Sequence, residues 1–178
     1  MRWIKIIIIP VLLMLTGCGN THTPDHIKLK KIEEMHKIIF DLYQKLGYNE
    51  IDSINNVFDT LNFQIAYYVD SMGNNENSRY YHSLYSIHNT LNNYLQASNS
   101  YNEEIFTLED NIFRLEYYVR SGNMSDSVFN ERFKTEEQDI TGLANRINEK
   151  RKTVLNSISS YYEIKPEIDK IIYARTSK

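Results

Sequence analysis

Apolar residues recur three and four positions apart along most of this 178-residue chain, and the longest run lies in its middle. That run keeps one heptad phase, with Ser98 as its single polar member: Tyr80, Leu84, Ile87, Leu91, Tyr94, Ser98, Tyr101, Ile105, Leu108, Ile112, Leu115 and Val119. A spacing of about 3.5 residues kept over about five heptads predicts one helix from Glu76 to Arg120. A second stripe beside the first predicts that this helix is central and covered from two sides: Tyr81, Tyr85, His88, Leu95, Phe106, Phe113 and Tyr117.

Three further runs with the same spacing flank this helix: Leu29–Leu46, Ile51–Met72 and Phe129–Tyr161. Short breaks of turn-forming residues separate the runs: Gly47–Asn49, Gly73–Asn75 and Ser121–Asn123. Glu136 and Lys150 lie on the seam of the last run and weaken its apolar character. No segment shows the strict alternation of a strand.

The lengths of these runs predict the architecture. At about 1.5 Å per residue, residues 24–72 extend about 73 Å if laid end to end, the middle helix about 68 Å and the last run about 55 Å. Three segments of similar length predict an all-α, elongated, antiparallel, coiled-coil-like bundle of three long rods, with the first rod kinked at Gly47–Asn49. The alternative is a bundle of four helices in which the first two fold back as a hairpin.

Helix signals near both ends set the domain boundaries. Thr23-Pro24-Asp25 combines a capping hydroxyl, a proline suited to the first helical position and an acid at the positive dipole end. Near the other end, Pro166 predicts that a short separate helix begins. We therefore expect a helical bundle over 24–163 and a C-terminal tail with a short helix over 164–178.

The first seventeen residues have the build of a secretory signal peptide. Arg2 and Lys5 precede an apolar stretch, Ile6–Leu15, which is followed by small residues. About ten apolar residues are too few for a membrane span, which needs about 20. We expect residues 1–17 to be cleaved during export.

The segment Leu15-Thr16-Gly17-Cys18 resembles the lipobox of bacterial lipoproteins. The resemblance implies lipidation of the Cys18 thiol, cleavage before it and acylation of the new amino terminus, as with palmitate. Residues 18–23 then form a lipidated tether to the membrane. Gly19, where aspartate favours the inner membrane, indicates the periplasmic face of the outer membrane in a Gram-negative cell. The alternative is an ordinary signal peptide with an accidental cysteine.

Cysteine content and net charge limit the classes of partner that the chain can bind. Cys18 is the only cysteine, which fits a thiol that carries lipid and excludes an intramolecular disulfide. Loss of residues 1–17 removes Arg2 and Lys5, so the mature chain has 18 Lys and Arg against 23 Asp and Glu, a net charge of −5. An acidic chain has no general affinity for nucleic acid, and we expect none as a partner.

Residues with catalytic or metal-binding potential are scattered. Glu33 and His36 have the Glu-x-x-His spacing of di-metal bundles, but such sites need the motif on two helices and the sequence has one copy. His82 and His88 are six positions apart and point in different directions on a helix. The sequence holds no Gly-x-Ser-x-Gly motif and no Gly-rich phosphate loop. It therefore predicts no enzyme activity, cofactor or metal site.

Tyrosine is abundant, and eight of the fourteen tyrosines form adjacent pairs: Tyr67-Tyr68, Tyr80-Tyr81, Tyr117-Tyr118 and Tyr161-Tyr162. Adjacent helical positions point about 100° apart, so at least one ring of each pair lies off the seam. Outward rings form a candidate partner surface: Tyr67, Tyr81, Tyr85, Tyr118 and Tyr162. Alternatively, the rings only widen the apolar stripe.

Two functional hypotheses follow. The first is a non-enzymatic, lipid-anchored helical interaction protein of the bacterial envelope, similar in build to accessory lipoproteins of secretion, pilus or conjugation systems and to immunity or exclusion lipoproteins. Its partners would be the membrane, through the anchor, and an envelope protein, with self-association left open. The alternative is a ligand- or metal-binding bundle with a cavity around Ser98, His88 and Glu136, where polar seam residues pack poorly.

Overall fold

A computed structural model of the chain describes residues 25–71 and 78–176. These residues form four helices: α1 (His26–Lys45), α2 (Tyr48–Ser71), α3 (Ser78–Arg120) and α4 (Asp126–Thr176). The described residues contain no strand, so the all-α prediction is confirmed. The signal peptide, Cys18, the tether and the predicted turn at Gly73–Asn75 lie outside the described residues.

Helices α1 and α2 form one bent rod. Only Leu46 and Gly47 separate them, and the Leu46 N–H still donates to the Leu42 carbonyl at 3.0 Å. A Cβ atom on Gly47 would lie 3.2 Å from the Gln44 carbonyl oxygen, a tight contact that glycine avoids. Each of the two helices packs against α3 and α4, and neither packs along the other. This confirms the three-rod prediction with a kinked first rod.

Helix α1 begins slightly later than the sequence predicts. Asp25 is the N-cap, and its carboxylate accepts hydrogen bonds from the N–H groups of Ile27 at 3.0 Å and Lys28 at 3.1 Å. A single aspartate thus satisfies two of the free N–H groups of the first turn. Thr23 and Pro24, which were expected as the cap and the first helical residue, lie outside the described residues.

The connection between α3 and α4 is a tight glycine-containing turn. Gly122 has a positive φ of 70°, a backbone conformation that glycine adopts without strain. The Asn123 N–H donates to the Tyr118 carbonyl at 3.1 Å, and the Gly122 N–H donates to the Val119 carbonyl at 3.2 Å. This pattern is the Schellman motif that ends many helices. The predicted break at Ser121–Asn123 is therefore present.

Helix α4 differs from the prediction at its C-terminal end. We expected a separate short helix from Pro166, but α4 runs through Pro166 without interruption to Thr176. Val154, Tyr161 and Ile168 are seven residues apart and all buried, so the same seam continues past the proline. Burial of these side chains outweighs the lost hydrogen bond and the steric conflict that proline brings to a helix.

A continuous hydrophobic core follows the long axis, with α3 at the centre of the bundle. The predicted seam of α3 supplies the middle of the core, and all but two of its members are buried: Leu84, Ile87, Leu91, Tyr94, Ser98, Ile105, Leu108, Ile112, Leu115 and Val119. Buried Ser98 donates its hydroxyl to the Leu95 carbonyl at 2.7 Å. Tyr80 and Tyr101, the other two members, are partly buried against the core.

The second stripe of α3 is covered over only part of its length. Tyr81 and Leu95 pack partly buried against the core beside α2, whereas Phe106, Phe113 and Tyr117 remain exposed. The prediction that both stripes are covered is therefore wrong for the half of α3 that faces α1. In the half that lies beside α2, Tyr85 is also 49% exposed, so the cover is incomplete there as well.

The rods alternate in direction, which brings three helix termini together at each end of the bundle. Lys28 in the first turn of α1 forms an ion pair with Asp126 in the first turn of α4. We call one end of the bundle the lower end; there α1 begins, α3 ends and α4 begins. None of the helices within residues 25–71 and 78–176 combines the length and apolarity required to cross a membrane.

Candidate functional site

Three exposed phenylalanines lie on α1 and α3, two helices that pack against each other. Phe40 belongs to α1 and Phe106 and Phe113 belong to α3, and each residue is between 54% and 68% exposed. Phenylalanine is usually buried, and several exposed rings on one surface indicate a binding site for another molecule. We call Phe40, Phe106 and Phe113 the aromatic face.

Two polar contacts set the register of α1 against α3. The Nε2 atom of His36 lies 3.1 Å from Oε2 of Glu116. About two helical turns further along α1, the Tyr43 hydroxyl donates to the Glu109 carboxylate at 2.9 Å. Each contact joins residues more than sixty positions apart in the sequence.

This register places the rings opposite one another. Phe40 lies between the two contact residues of α1, and Phe113 lies between the two glutamates of α3, so both rings border the same groove. The ring of Phe113 also contacts His36, with 4.9 Å between the ring centroids. Phe106 lies two turns from Phe113 on the same side of α3, about 10 Å along the axis.

Glu116 is the centre of a polar network beneath these rings. One oxygen of its carboxylate accepts a hydrogen bond from Nε of Arg120 at 2.7 Å, while the other faces His36. Burial alone raises the pKa of Glu116, but the hydrogen bonds from Arg120 and His36 outweigh it, so the pKa lies below its usual value. Because an ionised carboxylate only accepts, His36 presents a protonated Nε2 to it.

Tyr43 has a similar supporting role. Burial raises the pKa of the Tyr43 hydroxyl, and the hydrogen bond to Glu109 raises it further, so the hydroxyl remains a donor. The polar groups under the aromatic face are therefore paired with one another and hold α1 on α3. What this surface presents to a partner is apolar ring area rather than a reactive group.

A groove of about 520 Å³ opens beside the network toward the lower end. Its walls include Lys30 and Glu33 of α1 and Glu116 and Arg120 of α3. Glu33 is paired with Lys37 at 2.8 Å, and Glu116 is paired with Arg120 at 2.6 Å. The groove adjoins the aromatic face and extends it with charged positions of both signs.

Aromatic side chains continue along α3 beside α2. The rings of Tyr81 and Tyr85 stack with centroids 6.1 Å apart, and Tyr85 stacks on His88 at 6.2 Å. Phe58 of α2 closes the stack at 4.6 Å from His88. The Nε2 atom of His88 lies 2.7 Å from the side-chain oxygen of Asn62. Two of the five predicted surface tyrosines, Tyr81 and Tyr85, are thus brought together.

The other three predicted tyrosines have no ring contact with this stack in the described residues, and Tyr118 lies far from it. Tyr118 is thirty-three residues from Tyr85 on α3, about 50 Å along the helix, and the guanidinium of Arg132 lies 5.9 Å from its ring. Tyr162 is exposed on α4, and Tyr67 is half-buried on α2. The five tyrosines do not form one continuous surface.

The residues of the ligand-binding hypothesis are also separated. His88 and Ser98 are ten positions apart on α3, about 15 Å along its axis. Glu136 accepts a hydrogen bond from Asn111 at 3.3 Å, further along α3 again, and burial raises the pKa of this carboxyl group. The three side chains therefore line no common cavity. Within the described segments, no group of three His, Cys, Asp or Glu side chains is placed to hold a metal ion.

Another groove, of about 550 Å³, lies between α3 and α4. Small hydroxyl and amide side chains dominate its walls: Ser83, Ser86, Thr153, Asn156, Ser157 and Ser160. Ile87 is the apolar residue among the lining side chains, and His82 is the titratable one. The lining of this groove includes no phenylalanine or tyrosine ring, so the aromatic face is the stronger candidate for a binding surface.

Sequence reasoning missed most of the aromatic face. Phe106 and Phe113 were recognised as members of a stripe, but the stripe was expected to be covered. Phe40 lies off the α1 seam, so the periodicity gives no reason to single it out. The contact between His36 and Glu116 spans eighty positions, and neither residue carries a local signal for it. The one sequence signal for this surface is the position of Phe106 and Phe113 on the second stripe of α3.

No protein-family model, curated protein or solved structure matches this chain. The site must therefore be interpreted from its own residues.

Proposed function

We propose that this chain is a non-enzymatic, lipid-anchored interaction protein of the bacterial envelope that binds another envelope protein through the aromatic face. Its role would be that of an accessory lipoprotein of a secretion, pilus or conjugation system, or of an immunity or exclusion lipoprotein. The observation that carries the proposal is the exposure of Phe40, Phe106 and Phe113 along one groove.

The energetics favour a partner on this face. Full burial of a phenylalanine side chain is worth about 1.5–3 kcal/mol relative to exposure. Three neighbouring rings supply the kind of aromatic centre that dominates protein interfaces. An amphipathic segment with a row of apolar side chains fits a groove between two parallel ridges of this type.

The lipid anchor is supported by the sequence Leu15-Thr16-Gly17-Cys18. Cys18 precedes the first described residue, Asp25, by seven positions, so the extended tether reaches at most about 25 Å. A lipidated Cys18 would hold the bundle near the membrane without a basic patch, because two or more acyl chains anchor stably. With Gly19 after the cysteine, the proposed location in a Gram-negative cell is the outer membrane, facing the periplasm.

Site-specific photo-crosslinking in intact cells tests the proposal. A benzophenone amino acid replaces Phe106 or Phe113 in the full chain, and the membranes are analysed for adducts of discrete mass. We expect a defined protein adduct from both positions, identified by mass spectrometry. The same adduct should be lost when Cys18→Ser is added, because the unanchored chain no longer reaches its partner.

Phe63 of α2 provides the matched control. It is 68% exposed, as is Phe106, but its neighbours Asn62 and Gln64 contact α3 and α4, so it points away from both. A benzophenone at Phe63 should give no such adduct. Equal labelling from Phe63 and Phe106 would refute the aromatic face as a specific surface. An adduct only between copies of this chain would replace the partner with self-association.

A further inference from the structure

The lower end of the bundle exposes large apolar side chains on all three of its helix termini. Ile27 is in the first turn of α1, Val128 is in the first turn of α4, and Tyr117 and Tyr118 are in the last turn of α3. These residues are between 40% and 75% exposed. We call Ile27, Tyr117, Tyr118 and Val128 the apolar tip.

The tip is held together by contacts between the three termini. Lys28 of α1 pairs with Asp126 of α4, which ties the two helix starts to each other. The rings of Tyr117 and Tyr118 meet edge to face, with centroids 5.7 Å apart, and Arg132 of α4 lies over Tyr118. The exposed side chains therefore project from helix termini that contact one another.

The position of this end is set by the chain that precedes it. Cys18 lies seven residues before Asp25, so a lipid on Cys18 is within about 25 Å of the first turn of α1. The opposite end of the bundle is far beyond this reach, since α4 alone has 51 residues and extends about 76 Å. An anchor on Cys18 brings the apolar tip, and no other end, to the membrane surface.

We infer that the apolar tip inserts into the interfacial region of the lipid bilayer to which the chain is anchored. The inference rests on the lipid anchor of the proposed function and adds to it a second membrane contact, which would hold the bundle upright. The occupant of this surface is the lipid headgroup region itself, and the aromatic face above it stays free for a protein.

The side chains of the apolar tip are types that favour the lipid interface over water. Tyrosine is enriched at membrane interfaces because its ring enters the acyl boundary while its hydroxyl remains hydrated. Ile27 and Val128 add exposed aliphatic area in the first turns of α1 and α4. Two cations of the region, Lys28 and Arg120, are neutralised by Asp126 and Glu116, so the contact relies on the apolar side chains more than on anionic lipid.

Tryptophan fluorescence in vesicles tests the inference. Trp3 is the only tryptophan of the full chain and is removed with residues 1–17, so Tyr117→Trp gives the lipidated protein one reporter at the tip. The lipidated protein is purified from bacterial membranes and reconstituted into phosphatidylcholine vesicles that carry bromine on the upper acyl carbons. We expect about a twofold loss of emission and a blue shift, because an interfacial ring lies within about 5–10 Å of the acyl boundary.

Tyr173→Trp in the lipidated protein is the matched control. Tyr173 is 74% exposed, close to the 67% of Tyr117, but it lies near the C-terminal end of α4. Its emission should be unchanged by brominated lipid. Tyr118→Trp serves as a second reporter if the Tyr117 variant fails to give the wild-type circular dichroism spectrum, and the same quenching is expected from it.

The outcomes separate this inference from the anchor. The intact mass of the purified protein reports whether Cys18 carries acyl groups; their absence would refute the anchor and the tip contact together. Acylated protein whose tip reporter is not quenched would overturn the tip contact alone. Quenching of both reporters would also overturn it, since the bundle would then lie flat. An unquenched reporter that shifts to the blue only with solubilised membrane proteins would assign the tip to a protein partner.

Discussion

Tyr94 is one of two tyrosines whose side chains are fully buried in the core; the other is Tyr161. Tyr94 is 1% exposed, and its hydroxyl has no hydrogen-bond partner among the described residues. Burial raises the pKa of Tyr94 to about 12, and the nearby negative charge of Glu50 acts in the same direction. An unpaired buried hydroxyl costs about 1–3 kcal/mol, so apolar packing of the ring must outweigh this cost.

Replacing Tyr94 with phenylalanine is expected to preserve or raise stability near pH 7, by up to about 1 kcal/mol, because the unpaired hydroxyl is removed. The two proteins should diverge in alkali. The folded pKa of about 12 exceeds the unfolded pKa of about 10, so the contribution of Tyr94 is complete below pH 10 and is lost as the pH rises toward 12.

Urea unfolding at several pH values between about 8 and 11 measures this difference. The unfolding free energy of the wild type should fall more steeply above pH 10 than that of Tyr94→Phe. Tyr85→Phe, at a 49% exposed position, is the control and should follow the wild-type profile. Parallel profiles for wild type and Tyr94→Phe would contradict the burial argument.

At the residue scale, the sequence predicted which residues lie on the seam better than it predicted their hydrogen-bond partners. The heptad phase correctly predicted that Tyr94 and Ser98 belong to the α3 seam, because phase is a local property of one helix. The heptad phase does not predict the hydrogen-bond partner of either hydroxyl. Ser98 reaches the Leu95 carbonyl, whereas the Tyr94 hydroxyl stays unpaired, and this difference depends on side-chain length and on the helices opposite.

At the element scale, α4 is the informative case. Pro166 lies inside a helix of 51 residues, where it removes one backbone hydrogen bond. The sequence predicted a break there, since proline normally ends or begins a helix. The seam of Val154, Tyr161 and Ile168 overrides this local preference because all three side chains are buried by other helices.

Pro166→Ala should therefore stabilise the bundle. Pro166 is exposed, so the substitution leaves the core unchanged, and alanine restores an N–H that donates to the Tyr162 carbonyl. Proline costs about 3 kcal/mol relative to alanine in a helix interior, and its stiffening of the unfolded chain offsets part of this, so we expect a gain of about 1–3 kcal/mol.

Chemical denaturation monitored by circular dichroism measures the gain. Glu163→Ala, at another exposed position of α4, is the control and should change stability by less than about 0.5 kcal/mol. If Pro166→Ala were no more stable than the wild type, the proline would not be a source of strain, and α4 would tolerate it without cost.

At the scale of the whole molecule, an ion pair joins the first rod to α4. Arg151 donates from Nε to Oε1 of Glu50 at 2.6 Å and from Nη2 to Oε2 at 3.0 Å. The two residues are 101 positions apart, and both are partly buried. A two-point contact of this geometry fixes the position of α2 along α4 just beyond the bend at Gly47.

A double-mutant cycle with Glu50→Gln and Arg151→Met should give a coupling energy of about 1–2 kcal/mol, since the pair is bidentate and partly screened from water. The Asp110–Arg114 pair on the surface of α3 is the matched control. Its two side chains are exposed and four residues apart, so we expect a coupling below about 0.5 kcal/mol. Equal couplings for the two pairs would show that the bidentate contact adds nothing to the assembly.

The division of information between sequence and tertiary structure follows from the range of each signal. Periodicity, capping residues and breaks act within one helix, so the sequence alone determined the helical class, the seam of α3 and the bend near Gly47. The lipobox at Leu15–Cys18 is likewise a local signal, and it stays a prediction about processing.

Only the tertiary structure decided which apolar positions are covered. Phe106 and Phe113 belong to a second stripe that runs beside the buried one, yet they are exposed because α1 lies on α3 at a register set by His36 and Tyr43. Pro166 stays helical because distant helices bury its neighbours. Which side chains are buried depends on how separate helices pack against one another. The residue pattern of a single helix does not predict that packing.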